Sequence, residues 1–105
     1  MNLKDQASEL AKRILNDSSN DEEAIQMVAV AGSIYRSQGA DFATLELFYR
    51  HLINAISTRI IALEASAASN AAAASRLGIM RVAEVHAGEL LKSMQEEARG
   101  ERRSQ

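Results

Sequence analysis

The sequence predicts an all-α fold of one domain, and its composition supports this in three ways. The chain has 105 residues, no proline and only five glycines. Sheet-rich folds need many tight turns, which are built largely from glycine and proline. Alanine-rich segments with leucine, isoleucine and valine at 3- and 4-residue steps favour helices instead. We therefore expect a single helical domain over residues 1–97.

The first predicted helix runs from Leu3 to Asn16. Its apolar residues follow a 4-3-4 spacing, so they form one stripe on an otherwise polar helix. The members of this stripe are Leu3, Ala7, Leu10 and Ile14. Such a helix is expected to pack one face on a core and to leave the other faces in solvent.

The second predicted helix starts at one of two overlapping capping boxes, which begin at Ser19 and at Asn20. In either register a side chain accepts a hydrogen bond from a free backbone N–H at the helix start. Residues 27–31 are apolar without interruption, and we interpret this as burial on most sides. Gly39 is expected to end the helix, because glycine adopts the left-handed conformation at low cost.

The third and fourth helices are predicted to form a long antiparallel hairpin. Asp41 serves as the N-cap of the third helix after a connection of about two residues. The alanine- and serine-rich segment that follows leaves three alternatives open: a turn within residues 66–70, which we favour, a break at Gly78, or one continuous helix. The fourth helix is expected to end near Glu97, before a charged and frayed tail over residues 98–105.

The length of this hairpin predicts a homodimer. Each arm of about 27 residues is about 40 Å long, and two short helices can cover only one side of it. The four-helix bundle is therefore expected to be completed or extended by a second copy. We assign six residues of the third helix as interface candidates: Leu47, Asn54 and Ile61 on its reverse face, with Phe48, Leu52 and Ile56.

Composition also narrows the classes of function. The net charge is −2 with the two signs interspersed. Nucleic-acid-binding proteins usually show a basic stripe, so a nucleic-acid partner is not expected. The chain has no cysteine, which excludes disulfides, thiolate metal sites and cysteine nucleophiles. We find no apolar segment long enough for a membrane span and no apolar signal core, so a cytoplasmic location is expected. The preference for arginine over lysine and the abundance of alanine favour a bacterial source.

The two histidines do not predict a metal site. A hairpin centred near Ala68 brings His51 and His86 to the same level, but they lie at different angles from their apolar stripes. Too few other ligands are available to complete a site. We find no phosphate-binding glycine loop and no Gly-x-Ser-x-Gly motif, so no cofactor and no serine-type catalysis are expected.

Arg81 and His86 match an Arg-x4-His spacing. This spacing resembles the signature of HEPN-type ribonucleases, which are all-helical dimers that place arginine and histidine from both chains around a phosphodiester. The resemblance covers these two residues. It implies that His86 acts as the acid–base group and that Arg81 stabilises the phosphate.

The first functional hypothesis is a non-enzymatic bacterial interaction module that binds and sequesters a partner protein. In its layout of two short helices and a long hairpin, the chain looks like helical antiactivators of quorum-sensing regulators and small bacteriocin-immunity bundles. The alternative is a HEPN-like dimeric ribonuclease, or an inactive relative, that uses Arg81 and His86. A third hypothesis is a structural or phage-assembly component.

Overall fold

In a computed structural model of the chain, which describes residues 2–103, the polypeptide folds into four α-helices joined by short turns. No strand occurs in the described range, so the predicted all-α class is confirmed. The helices are α1 (Leu3–Asp17), α2 (Asp21–Ser37), α3 (Phe42–Ala67) and α4 (Ala71–Arg103).

Each helix begins at a residue whose side-chain oxygen accepts a backbone hydrogen bond from the first turn. These N-caps satisfy N–H groups that have no partner within the helix. The four capping bonds are Asp5 N to Asn2 at 2.8 Å, Glu23 N to Asn20 at 2.9 Å, Thr44 N to Asp41 at 2.8 Å and Ala73 N to Asn70 at 3.2 Å. The bonds from Thr44 stabilise the charged carboxylate and hold the pKa of Asp41 below its usual value.

The turn between α2 and α3 confirms the role predicted for Gly39. Gly39 has a φ of 84°, in the left-handed region where a side chain would be strained. Its N–H donates to the carbonyl of Arg36, and the N–H of Ala40 donates to the carbonyl of Tyr35, each at 3.0 Å. These two bonds make a Schellman motif, which ends α2 abruptly before the Asp41 cap.

Helices α3 and α4 lie side by side and run in opposite directions. Three contacts between side chains establish this: Glu46 with Gln95, Ser57 with Glu84 and Glu64 with Arg81. The chain reverses between Ala67 and Ala71, inside the range 66–70 that the sequence favoured, and Gly78 lies within α4. Asn70 is the N-cap of α4. Besides the N–H of Ala73, its side-chain oxygen accepts the N–H of Ala72 at 3.0 Å.

The core lies between the α3/α4 layer and the two short helices. Helix α1 packs mainly on α3, and α2 packs mainly on α4. All four helices contribute to one cluster of buried apolar side chains. The largest fully buried members are Ile14, Val28, Phe48, Leu52, Ile56 and Met80.

Helix α4 is longer than the sequence predicted. It has 33 residues, about 50 Å of helix, and the molecule measures 55 × 28 × 21 Å. Residues 98–103, which we had assigned to a frayed tail, continue the helix, so the expected end near Glu97 is too early. Alanine, glutamate and arginine in this segment are good helix formers. Residues 104 and 105 of the predicted tail lie outside the described residues.

The expected burial of α2 on most sides is wrong. Only its Ala24, Val28 and Gly32 are fully buried. Val30 and Ile34 remain 53% and 51% exposed. The reason is that α2 packs on α4 and has little contact with α1, so only one of its apolar faces meets the core.

A close approach between α2 and α3 occurs at Gly32 and Tyr49. The Tyr49 hydroxyl donates to the carbonyl of Val28 at 3.2 Å. A Cβ at position 32 would overlap this hydroxyl and would lie 3.2 Å from the ring carbon Cζ. The absence of a side chain at Gly32 therefore lets the tyrosine reach the backbone of α2. Burial raises the pKa of Tyr49, although Arg36 and the Gly32 N–H lower it by less.

Replacement of Gly32 by alanine is expected to destabilise the protein by about 1–2 kcal/mol. Overpacking against Tyr49 costs about 1–3 kcal/mol, which exceeds the gain of about 1 kcal/mol in helix propensity. The measurement is urea unfolding followed by circular dichroism. In a Tyr49→Phe background the hydroxyl is gone, so Gly32→Ala should cost less or stabilise. An equal cost in both backgrounds would show that the glycine has another role.

The turn between α1 and α2 is held by an arginine from α4. Ser18 is fully buried, and its hydroxyl donates to the carbonyl of Ile14. The guanidinium of Arg76 donates to the carbonyl of Ser18. Since α1 has no basic residue in its last turn, Arg76 supplies the cation that favours the negative end of that helix dipole.

We expect Arg76→Met to lower the free energy of unfolding by about 1–2 kcal/mol, because it leaves the Ser18 carbonyl without its charged donor. Arg99→Met is the matched control, since Arg99 is exposed and, within the part of the chain that the structure describes, bonds only to the carbonyl of Gln95 in its own helix at 3.5 Å. Thermal unfolding of the two variants compares them directly. Equal melting temperatures would contradict the bracing role of Arg76.

Candidate interaction surfaces

A groove runs between α1 and α2 on the side of the molecule away from the outer face of α3. Its volume is about 420 Å³. One wall is formed by Gln6, Glu9, Leu10 and Arg13 of α1, and the other by Met27, Val30, Ala31 and Ile34 of α2 with Gln38, which directly follows that helix. Tyr35 and Phe48 complete the lining. We call this feature the α1/α2 groove.

The groove exists because α2 carries two apolar stripes. Ala24, Val28 and Gly32 follow a four-residue step and face the core. Met27, Val30 and Ile34 follow 3- and 4-residue steps on the adjacent face and line the groove. A helix that packs in a two-layer bundle needs only the first stripe, so the second is left for another contact.

Two aromatic side chains pack against each other in the lining of the groove. The rings of Tyr35 and Phe48 are tilted against each other with their centroids 4.6 Å apart. The Tyr35 hydroxyl donates to the side-chain carbonyl of Gln6 and so links the two helices. Burial raises the pKa of Tyr35, and its hydroxyl therefore stays a hydrogen-bond donor at neutral pH.

The α1 rim of the groove is polar and carries both signs of charge. Glu9 and Arg13 are exposed and lie one turn apart on α1. Gln38 lies at the end of the α2 wall. An apolar lining with a polar rim is the usual composition of a protein-binding groove.

A second surface lies on the outer face of α3. Leu47 is 46% exposed and Ile61 is 69% exposed, with Asn54 exposed between them. On α4, Val85 is 59% exposed. Three of the six interface candidates thus lie on the surface of the molecule.

The other three interface candidates lie inside the molecule. Phe48, Leu52 and Ile56 are 1%, 0% and 0% exposed and belong to the core cluster. They share the helix face that meets α1, α2 and α4, so they offer no surface for pairing with a second copy, although the ring of Phe48 lines the α1/α2 groove.

Arg81 and His86 are not brought together by the structure. Five residues of α-helix correspond to a rotation of about 140°, so the two side chains leave α4 in different directions. Arg81 is paired with Glu64 at 3.6 Å, and both side chains are more than half exposed. His86 and His51 are each partly buried. Across the described residues no group of three or more acidic, histidine or cysteine side chains could hold a metal ion.

Comparison of the chain with protein-family models, with curated proteins and with solved structures found no match in any of the three. Among the described residues, no helix has the length and apolar character needed to cross a membrane.

The groove residues of α2 are absent from the sequence-based predictions, although their spacing contains the signal. The uninterrupted apolar run predicts burial on most sides, whereas Met27, Val30 and Ile34 form a stripe separate from Ala24 and Val28. Two stripes on one helix indicate two contacts, and the monomer provides only one of them.

Replacement of the exposed groove residues should hardly affect folding. We expect Val30→Gln and Ile34→Gln each to change the free energy of unfolding by less than about 0.5 kcal/mol, because both side chains are half exposed. Val28→Ala, on the buried stripe of the same helix, should cost about 2 kcal/mol. Chemical denaturation measures all three. A large loss of unfolding free energy in the two glutamine variants would instead assign Val30 and Ile34 to the core.

Proposed function

We propose that this chain is a non-enzymatic interaction module that binds and sequesters an amphipathic helix of a partner protein in the α1/α2 groove. The observation that carries the proposal is the second apolar stripe of α2, which lines an open groove and whose Val30 and Ile34 remain half exposed. Sequestration of a helical segment would suit a regulatory or inhibitory protein.

The shape of the groove supports a helix as its occupant. Its walls are two helices with lining residues at 3- and 4-residue steps, so they present ridges into which the ridges of a third helix can pack. From Met27 to Gln38 the α2 wall is about 16 Å long, which corresponds to about three helical turns. Helix-in-groove recognition is a common mode for apolar grooves of this kind.

The rim charges support an amphipathic occupant rather than a wholly apolar one. Glu9 and Arg13 can each pair with an oppositely charged residue at the edge of the bound helix. Since the two charges are of opposite sign, neither a strongly acidic nor a strongly basic helix is favoured.

We further propose that the chain acts as a homodimer. The exposed Leu47 and Ile61 on α3 support this, because they lie on the face that α1 and α2 leave uncovered. The dimer would present two grooves, and two linked sites bind a bivalent partner more tightly than one.

The experiment compares the wild-type chain with a groove variant and a matched control. The groove variant carries Val30→Glu and Ile34→Glu. The control carries Ala29→Glu and Ser33→Glu, which add the same charge to exposed positions of the same helix outside the groove. Each protein is immobilised and exposed to extract of the source cell, and retained proteins are identified by mass spectrometry.

We expect a protein retained by the wild type and the control to be lost from the groove variant. Its contact segment, mapped by cross-linking, is then synthesised as a peptide and titrated. The peptide should become helical on binding and should slow hydrogen exchange in residues 27–38. The proposal is wrong if the groove variant retains the partner protein as well as the wild type does. It is also wrong if the contact peptide stays extended when it binds.

Enzymatic activity would contradict the non-enzymatic part of this proposal. The purified wild type is incubated with RNA beside a His86→Ala variant. Cleavage that His86→Ala abolishes without unfolding would instead support a ribonuclease. We expect no cleavage by either protein, because the charges of the chain are interspersed with a net charge of −2 and form no basic stripe for RNA.

A further inference from the structure

We propose that two copies of this chain pair through the outer face of α3, antiparallel, with the two-fold axis at Asn54. This inference rests on the homodimer proposed above and specifies its interface. The residues concerned, which we call the α3 seam, are Ala43, Leu47, Arg50, Asn54, Thr58, Ile61 and Ala65.

The α3 seam is a continuous stripe that the monomer leaves uncovered. Its members follow steps of three and four residues over about six turns, which keeps them on one side of the helix. All seven are exposed. Leu47, Asn54 and Ile61 are spaced by seven residues, the heptad spacing of helices that pack along their length.

The order of residues along the α3 seam reads similarly in both directions from Asn54. Leu47 and Ile61 lie seven residues to either side of it, and Ala43 and Ala65 lie eleven residues to either side. A two-fold axis at position 54 would therefore place leucine against isoleucine and alanine against alanine. Such self-complementarity is what an isologous interface requires.

Charge decides between the antiparallel and the parallel arrangement. A parallel pair would place Arg50 against Arg50 of the partner subunit, and like charges in contact are unfavourable. The antiparallel pair places Arg50 against Thr58 of the partner subunit. Arg50 also keeps its ion pair with Glu46 of its own helix at 3.7 Å, so its charge stays balanced at the seam.

Asn54 and the terminal alanines fit the same geometry. An asparagine on a two-fold axis can donate to and accept from its own copy, and one such pair specifies register in helical interfaces. Small side chains at Ala43 and Ala65 let the ends of the two helices approach closely. The α3 seam lies away from the α1/α2 groove, so pairing leaves both grooves open to a partner.

Single cysteines test the register directly, because the chain has no cysteine of its own. Three variants are made at exposed positions: Leu47→Cys, Asn54→Cys and Ile61→Cys. Each is oxidised alone, and Leu47→Cys and Ile61→Cys are also mixed. A disulfide needs Cα atoms about 4.4–6.8 Å apart, and the two copies of position 47 in the antiparallel seam are about 21 Å apart.

We expect Asn54→Cys to cross-link to itself and Leu47→Cys to cross-link only with Ile61→Cys. Self-linking of Leu47→Cys and of Ile61→Cys would establish a parallel pair and overturn the inference. If the wild type is a dimer but none of these cysteine pairs forms a disulfide, the α3 seam is not its interface. The proposed homodimer would then stand with a different interface.

Sedimentation equilibrium gives the second readout, with a matched pair of charged variants. The wild type should sediment at twice the 11.4 kDa chain mass. Ile61→Glu should weaken the dimer by about 30-fold or more, as expected for a central apolar contact. Val30→Glu, at a similarly exposed position in the groove, should leave it unchanged. A wild-type monomer at micromolar concentration overturns the inference, as does a dimer that is weakened only by Val30→Glu. Binding of the partner helix is tested separately, by the groove variants alone.

Discussion

The contact between Gly32 and Tyr49 joins α2 to α3, and together with the packing of α2 on α4 it fixes which face of α2 is buried. A buried tyrosine hydroxyl bonds to the backbone of α2 at Val28, and this is possible only where α2 has no side chain in the way. The contact turns the Ala24/Val28 stripe of α2 toward the core. The stripe of Met27, Val30 and Ile34 is then necessarily directed to the side, where α1 does not cover it.

The two proposed interfaces are separated by the core of the bundle. The α1/α2 groove is lined by the short helices, and the α3 seam is on the uncovered face of the long hairpin. Each has exposed branched aliphatic side chains in a helical spacing, but they differ in shape. A concave groove between two helices suits a single helix, whereas a ridge with a self-complementary order suits a second copy of itself. Partner binding and pairing can therefore occur together.

Five polar side chains hold this architecture through hydrogen bonds to the backbone. Asn2, Asn20, Asp41 and Asn70 cap the four helices. Arg76 fixes the turn after α1. These groups are engaged in structural hydrogen bonds within and between the helices.

The sequence by itself determined the helices, since caps and turns are local: Asn20, Gly39 and Asp41 act through neighbours within four residues. It also indicated the exposed face with Leu47, Asn54 and Ile61, because a stripe opposite the core stripe is visible in the spacing. It did not separate Phe48 and Leu52 from that face, and it ended α4 too early. Only the tertiary structure decided the orientation of α2. Both of its apolar stripes are visible in the sequence, and the packing of α2 on α4, with the approach of Tyr49 to Gly32 17 positions away, buries one of them.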